Sequence, residues 1–215
     1  MSTAASRKKI GLYLIALVLS IAVALISNGL PRAAQSGLRF FCVCFLALVA
    51  ASRAYTRDGR TLALAMLFTC FADAYMLLSD EAAGVLIFII VQALHLTRQT
   101  RRGRRAVLAL AAAPITAVFL WLLGLRLLIA AGAVYAALIF ANLTLAIVNA
   151  DRKRWEFRHV TIAAGFALFA LCDVSVALTG LAPYHVAVVT AALTWLFYLP
   201  SQLLLALSAA VEQSG

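Results

Sequence analysis

Acidic side chains are scarce in this chain: eight Asp and Glu among 215 residues, against 18 Lys and Arg, with charged residues only 12% of the total. Soluble domains carry about a quarter of their residues as charges and just under half as apolar side chains. Here 65% are hydrophobic, which excludes a water-soluble fold and defines an integral membrane protein. Almost no chain is left between the apolar runs, so a soluble domain is excluded too, and any activity has to be built from helix interiors and short loops. The four cysteines, Cys42, Cys44, Cys70 and Cys172, all lie within apolar runs. Cys42 and Cys44, two apart on a helix, point about 200° away from each other, a poor chelate; buried inert thiols are the expectation. HExxH, CxxC, GxSxG and a glycine-rich phosphate loop are absent, and no metal or cofactor is expected.

What is present is a series of apolar runs. A hydrocarbon core of roughly 30 Å takes about 20 apolar residues per helix, and eight runs qualify, at about 10–28, 37–54, 61–79, 83–99, 105–123, 126–149, 158–180 and 185–210. The expected fold is an all-α integral membrane protein, one domain of eight transmembrane helices over residues 1–215. The opening "RKKIGLYLIALVLSIAVALISNGL" has the basic start and apolar core of a signal peptide, but no convincing small-x-small site follows, and a retained first helix is expected.

A net charge of +10 points to nucleic acid in a soluble protein; here the positions decide otherwise. Arg7, Lys8 and Lys9 precede the first span; Arg53, Arg57 and Arg60 join the second to the third. Arg98, Arg101, Arg102, Arg104 and Arg105 join the fourth to the fifth, and Arg152, Lys153, Arg154 and Arg158 the sixth to the seventh. With eight alternating helices all of these fall on one side, and only Arg32, Arg39 and Arg126 on the other. The positive-inside rule then places both termini in the cytoplasm. The expected location is multi-pass, in a bacterial cytoplasmic membrane, with anionic lipid headgroups rather than nucleic acid as the partners of the basic loops.

Two acids break the apolar pattern. "FADAYMLLSD" and "LCDVSVALTG" overlie with an offset of 100 residues, matching Asp73 in the third span to Asp173 in the seventh. A four-plus-four parallel repeat about an axis along the membrane normal produces such a match. At a rise of about 1.5 Å per residue each carboxyl lies roughly 10 Å inside the same end of its helix. A mid-membrane carboxyl is expensive in lipid and normally faces the bundle interior or a wet cavity. Two in one low-dielectric cavity do not both ionise readily, which leaves an acid and a base, the division of labour of acid-catalysed hydrolysis. The bland alternative is that each Asp ties a helix pair together. Asp80, seven residues from Asp73 and on nearly the same face, either lines the mouth of that cavity or caps a helix in water.

Further polar side chains lie within spans. His95 in "VQALHLTRQ" is a candidate proton donor, or a hydrogen-bond partner for an Asp, set against a purely structural histidine. Tyr135, Asn142, Tyr198 and Gln202 add to a polar interior, and Pro200 in "YLPSQ" is expected to kink the last helix. Asp58, Asp151, Glu156 and Glu212 are assigned to loops or the tail.

These motifs resemble those of the YhhN-like membrane proteins, whose characterised members are lysoplasmalogenases. "FADAYMLL" and "VQALHL" are similar to the family's third and fourth spans, "AAGFALFALCDVSVAL" to its seventh, and "WLFYLPSQLLLALS" to its last, so the resemblance runs over nearly the whole chain. Ala72 stands where the family has Gly, Cys172 where it has Ser, and Arg98 where it has Tyr. The resemblance implies hydrolysis of the vinyl-ether bond of a lysoplasmalogen or related lysophospholipid to a fatty aldehyde and a glycerophospho-base. It implies Asp73 and Asp173 as the catalytic carboxyls, with His95, Tyr198 and Gln202 in support. Two other classes stay open: a proton-coupled transporter or lipid flippase that uses the paired acids, and a silent lipid-binding or assembly protein in which the acids are structural.

Overall fold

The computed structural model describes residues 3–78, 80–100, 103–181 and 183–209; the side chains of residues 1–10, 32, 103–111 and 114 lie outside that description. The topology residues Arg7, Lys8, Lys9, Arg32, Arg101, Arg102, Arg104 and Arg105, and Glu212 of the tail, therefore fall outside it.

Eight helices are present among the described residues: α1 (Thr3–Asn28), α2 (Arg32–Ala51), α3 (Arg57–Leu77), α4 (Glu81–Gln99), α5 (Gly103–Leu122), α6 (Leu127–Arg152), α7 (Phe157–Leu181) and α8 (Tyr184–Leu207). No strand occurs among the described residues. Seven of the helices, all except α5, are long and apolar enough to cross a bilayer on their described residues. The chain is thus an all-α, multi-pass membrane protein, and its many exposed large apolar side chains, such as Leu12, Phe41 and Phe140, are where lipid contact would put them.

The helix ends follow from local chemistry. Pro31 and Pro183, with φ near the proline value, precede the first turns of α2 and α8. The Thr56 side chain accepts the Gly59 amide hydrogen to start α3, and Asp80 accepts that of Ala83 to start α4. α2 accordingly lies about five residues N-terminal of its expected start, because Pro31 sets the helix there. α8 runs unbroken through Pro200, which cannot donate to the Leu196 carbonyl.

Six helices pack as a closed ring in the order α2, α3, α4, α6, α7, α8 and back to α2. α1 lies outside against α8 and α2, and α5 outside against α4 and α6. Exchanging α1 with α5, α2 with α6, α3 with α7 and α4 with α8 leaves this neighbour map unchanged, apart from a slight approach of α3 to α8 across the ring. That is the pattern of the four-plus-four repeat. Directions agree: Asn142 and Asn149 of α6 bond Gln92 and Gln99 of α4 in parallel register, while Gly165 faces Leu205 across the antiparallel α7–α8 pair.

Packing changes along the bundle. At the end carrying the basic loops, residues 91–95 of α4 are all buried, as are most of 198–209 at the end of α8 and just beyond it. Toward the opposite end, Leu178, Leu181, Tyr184, Val188 and Val189 are exposed, as are Tyr75, Leu77 and Leu78. Gly84 marks one close approach there: a Cβ on it would meet the Met76 sulfur at 2.7 Å and the Ala72 carbonyl oxygen at 3.2 Å, so α3 and α4 touch one residue from Asp73.

Candidate functional site

Asp73 and Asp173 sit at the level where the tightly packed half of the ring gives way to the looser half. Both are half-buried. Each is held by a phenol from another helix. The Tyr198 hydroxyl of α8 faces both Asp73 oxygens, at 2.9 and 2.8 Å, and the Tyr135 hydroxyl of α6 donates to Asp173 Oδ2 at 2.9 Å. Phe88 and Phe169 bridge Tyr135 to Tyr198 by ring contacts, so the two acid–phenol pairs belong to one cluster. Their ladder partners explain how the helices come to present them. Ala72, fully buried against α4, fixes the face of α3, and Cys172, also buried, fixes that of α7.

A continuous aromatic belt joins the two phenols. Tyr135 packs on Phe88 at 5.9 Å between ring centroids, Phe88 on Phe169 at 6.3 Å, Phe169 on Tyr198 at 5.8 Å, and Tyr198 on Trp195 at 5.1 Å. Three of these four contacts are edge-to-face, a favourable arrangement for rings with negative faces and positive edges. The belt ties α4, α6, α7 and α8 together beside the carboxyls and presents π-faces on which a developing positive charge is stabilised.

The other expected site residues are placed elsewhere. His95 does not bond an acid of this cluster: it packs edge-on to Phe166 at 5.2 Å, and its Nδ1 faces Arg98 Nη1 at 3.4 Å. It belongs to the basic end because α4 runs away from the acids at that point. Asn142 donates to the Gln92 carbonyl and side-chain oxygens and accepts from Gln99, an α4–α6 joint rather than a carboxyl support. Asp80 caps α4 and is exposed, so of its two readings the structure shows the cap. Gln202, one turn from Tyr198 toward the basic end, is buried with both side-chain polar atoms unpartnered, as are His95 Nε2 and Gln92 Nε2. Buried polar atoms of this kind are typical places for internal water.

Asp58 is not a loop residue. It lies in the first turn of α3 and accepts two hydrogen bonds from Arg98, both at 3.0 Å, and a third from Arg158 at 2.9 Å. Arg98 also donates to Ser208 Oγ at 2.9 Å. The cluster therefore pins α3, α4, α7 and α8 at the basic end. The side chains of Arg98 and Asp58 are only 3% and 14% exposed, so the pairing carries weight that a surface ion pair lacks. Asp58 and Arg158 are separated by the same 100 residues as the two site acids and so occupy matching places in the repeat. The aromatic belt had no comparable signal, since its members come from four helices with no shared spacing.

Among the described residues no group of three or more His, Cys, Asp or Glu is placed to hold a metal ion. Compared with protein-family models, curated proteins and solved structures, the chain matches none.

Proposed function

We propose that this protein is a membrane-embedded hydrolase that cleaves the vinyl-ether bond of a lysoplasmalogen or related lysophospholipid, using Asp73 and Asp173. The observation that carries the reading is the pair of carboxyls at one level of the ring, each held by a phenol and both beside one aromatic belt. A vinyl ether hydrolyses by protonation of its β-carbon. The α-carbon becomes an oxocarbenium ion, water adds to it, and the hemiacetal collapses to an aldehyde and the glycerol hydroxyl. One Asp supplies the proton, and the other stabilises the cation and takes the proton from the attacking water. The phenols hold each carboxyl in one orientation, which limits the reorganisation needed in the transition state. The aromatic faces add cation–π stabilisation, and the unpartnered polar atoms of Gln202, one turn from Tyr198, offer binding points for water.

In this reading the basic end is cytoplasmic and the looser half of the ring opens toward the opposite leaflet, from which a single alkyl chain enters. The test is aldehyde release from a lysoplasmalogen by purified protein in detergent, with a saturated ether lysolipid as control. Release from the vinyl ether alone is expected, and a folded protein that releases none defeats the proposal. The repeat in the helix map supports a second reading, a transporter whose halves rock about the acids. It predicts gradient-dependent flux in vesicles and no aldehyde.

A further inference from the structure

Of the three basic residues outside the basic loops, Arg39 alone lies inside a candidate span, Ala33–Ala51; Arg32 precedes that span and Arg126 caps α6. A guanidinium at that depth is expensive unless something repays its lost hydration. Its neighbours are all neutral. Arg39 Nε donates to Ser27 Oγ at 3.3 Å, Nη2 donates to Asn28 Oδ1 at 2.6 Å, and Cζ lies 4.5 Å from the centroid of the Trp195 ring. Among the described residues no carboxylate pairs with it. The guanidinium is thus held along its Nε–Nη2 edge by α1 and on one face by α8, which leaves the edge shared by Nη1 and Nη2 for a further acceptor, while its charge stays uncompensated.

The position is informative because Trp195 also packs on Tyr198, 5.1 Å between centroids, and Tyr198 holds Asp73. With the guanidinium carbon 4.5 Å from one ring and the second ring 5.1 Å further on, the cation lies within about 10 Å of the phenol that grips the acid. A lysophospholipid has a matching separation. Three glycerol carbons and their oxygens stand between the phosphorus and the bond at the first carbon, roughly 6 Å at ordinary bond lengths. Guanidinium is the side chain best suited to a phosphate, since its planar fork gives two parallel hydrogen bonds to two oxygens.

We propose that Arg39 binds the phosphate of a single-chain ether lysophospholipid and so places the ether end of its glycerol at the acid pair. The proposal deepens the hydrolase reading and rests on it for the identity of the reacting bond, but headgroup binding is measurable without hydrolysis. The substrate class is then a phosphate-bearing lysolipid, and a neutral ether glycerol is a poor ligand.

The experiment measures equilibrium binding of a saturated, non-hydrolysable alkyl-ether lysophospholipid to the purified protein in non-ionic detergent. Parallel arms use the phosphate-free 1-alkylglycerol and inorganic phosphate. Wild type is expected to favour the phospholipid over the alkylglycerol by on the order of 10- to 100-fold, the worth of hydrogen bonds to charged groups. Arg39→Gln is expected to lose that preference with alkylglycerol affinity unchanged, and Arg39→Lys to keep part of it. A preference unchanged in folded Arg39→Gln overturns the assignment, and so does equal weakening toward both lipids, which marks Arg39 as structural. Tight binding of inorganic phosphate without a lipid preference overturns the lipid as occupant. If Arg39→Gln does not fold, Arg39→Lys decides, and an unchanged preference again overturns the proposal. Wild type that shows the preference yet releases no aldehyde from a vinyl ether leaves the headgroup site standing and removes only the hydrolase.

Discussion

The two ends of the helix ring solve opposite problems. At the basic end four helices converge on Asp58, Arg98, Arg158 and Ser208, and residues 91–95 of α4 are buried without exception. Toward the other end α7 and α8 are joined by the Thr179–Thr190 hydroxyl contact at 2.8 Å and expose Leu178, Leu181, Val188 and Val189. Between lipid tails and side chains as apolar as the tails there is little hydrophobic gain in burying these residues against one another, so the polar cluster carries the fixing of one end while the other leaves its side chains exposed. The acids sit at the transition. They lie between a half pinned by ion pairs and a half whose side chains are largely exposed.

The comparison is broken if substitutions in the two halves have the same consequences. The largest effect is expected at the acids. Asp73→Asn and Asp173→Asn each lower aldehyde release by about a thousandfold, the scale of general acid–base catalysis. They do so without loss of thermal stability, because a neutral amide is no harder to bury than a carboxyl. Both parts are read on one preparation, by aldehyde assay and by melting in detergent. An unfolded variant would move the acids from chemistry to helix pairing.

Asp58→Asn should do the reverse. It leaves Arg98 and Arg158 without their shared anion in a nearly buried setting, where removal of one partner costs about 3 kcal/mol or more. Melting should fall clearly while the rate per folded molecule changes little, because the cluster lies at the far end of α3 from Asp73. A loss of rate that exceeds the loss of fold would show the two ends to be coupled.

How much of this was legible in the sequence depends on whether the residue's role was local. The helices were, because membrane-length apolar runs and the one-sided basic loops report on a helix by itself. Asp73 and Asp173 were, because an acid in an apolar run stands out and the common offset pairs them. The partners were not. Tyr198 and Tyr135 could be noted as polar, but which phenol meets which acid depends on the order of helices around the ring. His95 reads from the sequence as a proton donor or a partner for an Asp, but the course of α4 carries it to the basic end, where it faces Arg98 of its own helix. Asp58 lies outside the apolar run and reads as a loop acid, because the ion pairs that bury it come from residues 40 and 100 positions away. Arg39 registered only as an exception to the charge rule, since the tryptophan beneath it belongs to the other end of the chain.

The smallest expected effect sharpens the comparison most, because it divides the site itself. Tyr198 reaches Asp73 where α3 and α8 barely approach each other, whereas Tyr135 reaches Asp173 from the neighbouring helix. Tyr→Phe at either position keeps the ring in the aromatic belt and removes one hydroxyl, so stability should change by about 1 kcal/mol. Each carboxyl then loses its orienting donor and gains freedom to rotate, and the rate should fall by roughly tenfold. Tyr198 faces both oxygens of Asp73 whereas Tyr135 meets only Oδ2 of Asp173, so Tyr198→Phe should cost more than Tyr135→Phe. Measured side by side, an equal fall would mean that both carboxyls need the same fixing. A fall confined to Tyr198→Phe would mean that the cross-ring contact alone holds the geometry, and that the looser half of the ring is kept at its working width by that hydroxyl.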